Sequence, residues 1–185
     1  MAMAAEDLRV RQQLLDAGKL DQGYNWAMEI VHRHNAARLR QIIQTHGWPG
    51  KSLVGEDGSE AAWLIVQHSI AEPEFQRAAV LLLEDAVAAG EAPAWQLAYL
   101  VDRIAYFEGR PQRYGTQFDT SENGYCVPWT IEDPQRVNQL RAAVGLGPIQ
   151  ERMIPPSEQK CVSREQARQQ RSELEQWAKR VGWRK

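Results

Sequence analysis

The sequence predicts a mostly α-helical chain: a single helical domain with a small β-hairpin insertion and a C-terminal helix. Three observations predict it. Apolar residues recur at three- and four-residue steps over long stretches. Glycines and prolines punctuate those stretches where helices would start and stop. The texture changes once, in RYGTQFDTSENGYCVPWTI, where Asn123-Gly124 sits between segments holding Tyr, Phe, Thr, Val and Trp.

Taken in order, Ala5 to Ala17 reads as a short helix closed by Gly18. A long helical pattern runs from about Tyr24 to His46, with Met28, His32, Ala36, Leu39, Ile42, Ile43 and His46 on one recurring face; Gly47 and Pro49 stop it. Asp57 or Ser59 can cap a helix through about Ile70. Pro73 opens the next, which ends on Gly90, and Pro93 opens a fourth that ends at Gly109. The hairpin follows, with Pro128 confining its second strand to an edge. Asp133-Pro134 begins a helix to about Val144, GLGPIQERMIPPSEQK reads as turn and linker, and Ser163 to Val181 as the last helix. The organisation expected is a helical domain over 1–150 and a linker with a basic C-terminal helix over 151–185.

Composition narrows the function classes. With 43% hydrophobic and 25% charged residues and a net charge of -2, the chain has the balance of an ordinary globular protein. Its overall charge does not suggest a nucleic-acid or membrane surface. No run of about 18 apolar residues occurs. The opening MAMAAEDLRVRQQLL has acids before its arginines and no apolar core, so no signal peptide is expected and the compartment expected is the cytoplasm. Cys126 and Cys161 form no CxxC unit, and a disulfide between them is not expected without an export signal.

The stretch HGWPGKS (46–52) ends like a phosphate-binding loop. Such a loop requires glycine five positions before Gly50, and Thr45 stands there. The preceding segment is helical, and Pro49 lacks an N–H that a phosphate cradle would use. A helix stop fits better: His46 in the last turn, Gly47 as a left-handed cap, Pro49 preventing continuation.

HGWP (46–49), VG (54–55), QH (67–68), AYLVDR (98–103) and GRPQRYGTQ (109–117) occur together in this order. The set resembles a family of bacterial proteins of unknown function that share His-Gly-Trp-Pro, Gln-His, Asp-Arg and Tyr-Gly-Thr-Gln motifs. The resemblance covers roughly residues 25–150, and the tail from Pro155 looks like an addition. It implies motif positions and no reaction. Lys51 and Ser52 fall outside the pattern.

These motif residues are polar for helix-core positions. Ala61, Leu64, Ile65 and His68 share one helical face, with Gln67 at its margin. Leu97, Leu100, Val101, Ile104 and Phe107 form a band flanked by Asp102 and Arg103, which stand about 100° apart and cannot simply pair. One expectation gathers catalytic candidates His46, His68, Asp102 and Arg103 with ligand-binding candidates Gln67, Gln112, Tyr114 and Gln117 around a cleft. It supplies a general base, an orienting carboxylate, an anion holder and amide donors. The other expectation makes the same residues anchors that tie loops to helices. A metal site is the least supported: His32 and His34 stand about 200° apart on a helix, which leaves only His46 with His68 and a carboxylate. No metal ligand is assigned and no cofactor is implied.

Trp26, Trp63 and Trp95 are expected in the core. From Lys160 to Lys185 basic residues outnumber acids, with a narrow stripe of Leu174, Trp177, Ala178 and Val181. A helix docked on the rest of the chain is expected, with a partner-binding or nucleic-acid-binding arm as the alternative. Two function classes follow: a binding or interaction module, and an enzyme acting on a small polar or anionic substrate. A small polar ligand or a protein is the partner expected; a membrane and a nucleic acid are not.

Overall fold

The computed structural model describes residues 1–19, 24–155, 158–159 and 162–185. Cys161 lies outside them, and with it the pairing to Cys126. The described chain holds seven α-helices and one two-stranded hairpin. It divides into two compact units, Met1–Pro93 and Ala94–Lys185.

The first unit contains α1 (Ala2–Asp16), α2 (Trp26–His46), α3 (Lys51–His68) and α4 (Pro73–Ala88). The Asn25 side chain caps α2 by accepting the Ala27 N–H. That helix buries Met28, His32, Asn35, Ala36 and Leu39, a single stripe at helical spacing. Trp26 falls two residues before Met28, about 200° around the axis. It is therefore 73% exposed instead of being in the core, while Trp63 and Trp95 are half-buried. Gly47 ends the helix at φ 77 and ψ -169, a positive-φ conformation that favours glycine but lies outside the left-handed helical cap expected.

Helix α3 starts earlier than its candidate caps. Gly50 is its N-cap, and Glu91 closes the start: its carboxylate accepts the Ser52 N–H at 2.8 Å, and its carbonyl accepts the Lys51 N–H. A side-chain carboxylate thus occupies the helix N-terminus where a phosphate loop would place its anion. Gly55, at φ 75, kinks the helix. Ser59 is buried inside the regular part beyond the kink. From α4, buried Gln76 donates to the carbonyls of Val66 and Gln67 and so holds the last turn of α3 in place. Ile65, Val66, Phe75, Ala79 and Leu83 belong to the core of this unit.

The second unit contains α5 (Ala94–Glu108), β1 (Phe118–Thr120), β2 (Cys126–Pro128), α6 (Val137–Ala143) and α7 (Arg164–Val181). The strands are antiparallel, with Phe118 opposite Pro128 and Thr120 opposite Cys126, and Gly124 lies in their turn at φ 82. Residues after Asp133-Pro134 form turns, so α6 begins only at Val137. Ile149–Arg152 is a 3-10 turn with Ile149 buried, where a linker was expected. Ser163 and Gln166 form a reciprocal capping box at the start of α7. The Trp177 ring lies 5.4 Å from Phe107 of α5, and Trp183 stacks on Phe107 at 5.5 Å. Arg184 donates to the carbonyls of Phe107 and Tyr106, satisfying the end of α5. Arg171 donates to the Thr120 carbonyl of the hairpin. The last helix is therefore docked within its own unit. No described helix is long and apolar enough to cross a membrane.

Candidate functional site

The most concentrated chemistry in the first unit comes from three helices. Helix α1 buries Ala4 and Asp7, one turn apart, and the Asn35 side chain of α2 donates to the Met3 carbonyl, fixing the start of α1. This places Asp7, only 1% exposed, against His32 of α2 and His68 at the end of α3. His68 Nδ1 is 2.9 Å from Asp7 Oδ2. His32 Nε2 lies 3.3 Å from the same oxygen, within ion-pair range but without hydrogen-bond alignment. On its other side, His32 Nδ1 is 2.6 Å from the Tyr24 hydroxyl, and the two rings stack. The imidazoles of His32 and His68 are 5.3 Å apart, centre to centre.

Burial pushes the Asp7 carboxyl up, but the His32 and His68 imidazoles against it outweigh that and hold the group well below the usual carboxylate range. Asp7 is thus a carboxylate at neutral pH. Burial, foremost, pushes the Tyr24 hydroxyl far above its ordinary value, so it stays neutral. A carboxylate can only accept. His68 Nδ1 must therefore carry the proton it shares with Asp7. That leaves Nε2 of a partly exposed ring, 24% by side chain, free to accept another. Two buried atoms of the cluster have no hydrogen-bond partner: Asp7 Oδ1 and His32 Nε2.

In the second unit Asp102 is fully buried, not at the margin of its helix. It accepts from the N–H groups of Arg113, Tyr114 and Thr116 and from the Thr116 hydroxyl, all at 2.8–3.1 Å. Burial pushes its carboxyl above the usual range, against the pull of those donors. Gln112 donates to the carbonyls of Gln117 and Trp129 and accepts the Gln117 N–H. The Tyr114 carbonyl accepts from buried Arg141, and Gln117 donates to the Thr116 hydroxyl. Burial lowers the part-buried Arg103 guanidinium to about 10, which leaves it charged at neutral pH.

Of the expected site residues, His46, Gln67 and His68 lie in the first unit, and Asp102, Arg103, Gln112, Tyr114 and Gln117 in the second. His46 is exposed at the end of α2. Gln67 is 3% exposed, so the face of α3 is rotated from the one expected: Gln67 points inward and His68 sits at the margin. Asp102, Gln112, Thr116 and Gln117 are joined in one hydrogen-bonded set. Sequence reasoning missed Asp7 and weighed His32 only against His34, which is exposed. The signal for His32 was present, since it lies on the apolar stripe of α2.

A family model described as a family of unknown function (DUF6624) matches residues 1–158. The chain belongs to that family. The DUF6624 match takes in α1, and therefore Asp7, and stops before α7. Among curated proteins and solved structures, none matches the chain.

Proposed function

We propose that the protein is an enzyme acting on a small polar or anionic substrate, with Asp7, His32 and His68 as its working centre. The observation that carries this reading is the Asp7–His68 pair. A buried carboxylate fixes the ring so that one nitrogen donates inward and the other accepts a proton at the accessible side. Asp7 would orient His68 and stabilise its charged form after proton transfer. His32, backed by Tyr24, would hold the far side of the carboxylate. Such a pair serves proton abstraction from water or a substrate hydroxyl. In this reading Asp102 and Gln112 shape the 112–117 loop, because their polar groups are taken up by backbone.

The second reading is a binding module without a reaction. It is favoured by that same use of Asp102 and Gln112 for anchoring. A stability screen with nucleotides, sugars and phosphorylated metabolites, run both in chelated buffer and with added Zn2+, separates the two. A ligand present at 100 times its dissociation constant stabilises by about 2.7 kcal/mol. For the enzyme, the ligand found should be consumed, and its turnover should vanish in a folded His68→Gln variant. Binding without turnover, unchanged in that variant, would leave only the module.

A further inference from the structure

We infer that Asp7, His32 and His68 form a binding site for a divalent first-row transition-metal ion. The inference rests on reading these three side chains as the working centre, and it names the cofactor that centre takes. Three Lewis bases converge: a carboxylate and one nitrogen from each of two imidazoles, all within 4.8 Å of one another. Their closest separations are 2.9 and 3.3 Å. Ligands about 2.0–2.2 Å from a cation stand about 2.8–3.6 Å apart at octahedral or tetrahedral corners. Both carboxylate–imidazole separations have that spacing, and the two imidazole nitrogens lie within 4.8 Å of each other.

Two orphaned atoms point the same way. Asp7 Oδ1 and His32 Nε2 are buried and have no hydrogen-bond partner. Burying such atoms unsatisfied is costly, and a cation would satisfy both. Tyr24 backs His32 as an outer partner. When His32 Nε2 gives its lone pair to a metal, Nδ1 must carry the proton, and the Tyr24 oxygen 2.6 Å away can accept it. A neutral hydroxyl suits either tautomer. The donor set, two imidazoles and one carboxylate without a thiolate, fits zinc- or ferrous-type ions better than the hard cations magnesium and calcium. Three protein ligands leave coordination positions open, and the partial exposure of His68 puts them within reach of solvent. The metal displaces the proton on His68 Nδ1, so binding releases protons and weakens as pH falls. A bound metal would then take over the activation of water at the same place.

The test is titration of untagged, chelator-stripped full-length protein with Co2+ and Zn2+, followed by visible absorption and calorimetry. One equivalent should bind, with ligand-field bands for Co2+ and displacement by Zn2+. His32→Gln should weaken binding at least tenfold, Tyr24→Phe should weaken it roughly tenfold through the lost outer partner, and His34→Ala should change nothing. Circular dichroism checks each variant for folding. If His32→Gln does not fold, Tyr24→Phe and the wild-type stoichiometry decide. Absence of one-equivalent binding to the folded wild type overturns the proposal, as does binding that neither His32→Gln nor Tyr24→Phe weakens. Failure here, with turnover still lost in His68→Gln under chelation, would remove the metal and keep the proton-transfer centre.

Discussion

Asp102 and Asp7 are both buried carboxylates, and their surroundings give them different work. Four donors from residues 113–116 surround Asp102, so its acceptor capacity is spent on holding a loop. Asp7 has two imidazoles on one oxygen and nothing on the other. Asp102→Asn places an amide NH2 where one oxygen accepted backbone N–H groups. At least one buried donor is stranded, which should cost about 1–3 kcal/mol. Urea denaturation of the variant beside the parent measures it. A change below about 0.5 kcal/mol would be that of an ordinary surface substitution and would contradict the anchoring role.

Among the elements, α7 is the one that lies beyond the family match, and its packing makes it part of the second unit. Trp177 is 7% exposed against Phe107, and Ala178 beside it is fully buried. Trp177→Ala should therefore destabilise by about 3–5 kcal/mol, the range for large-to-small changes in cores. Thermal and denaturant unfolding test this; a loss under about 1 kcal/mol would mean that the helix is an appended arm. Helix existence was legible in the sequence because caps and breakers are local: Ser163, Pro73, Gly109 and the Asn123-Gly124 turn each act within a few residues. Burial at helix margins was less legible. One position on a helix is 100°, so Gln67 and His68 exchange roles with a small rotation of α3. Asp102 is buried because a loop distant from its own turn covers it, which no periodicity within α5 encodes. The start of α3 was missed for the same reason, since Glu91, 39 positions from Ser52, closes it.

At the scale of the whole molecule, the proposed centre depends on contacts between residues 7, 32 and 68. Each has an ordinary local meaning: an acid early in a helix, a histidine on an apolar stripe, a histidine near a C-terminus where cations are favoured. Only the packing of α1, α2 and α3 turns them into one site. His68 was legible as a candidate, and Asp7 was not. The proposed centre requires that Asp7 organise His68 as a proton acceptor. Nitrogen NMR of the two imidazoles, in chelated protein above neutral pH, tests it most directly. His68 should be protonated on Nδ1 and bare on Nε2, and Asp7→Leu, similar in volume but unable to accept, should abolish that preference. A wild-type His68 protonated on Nε2, or a tautomer unchanged in folded Asp7→Leu, would contradict the claim.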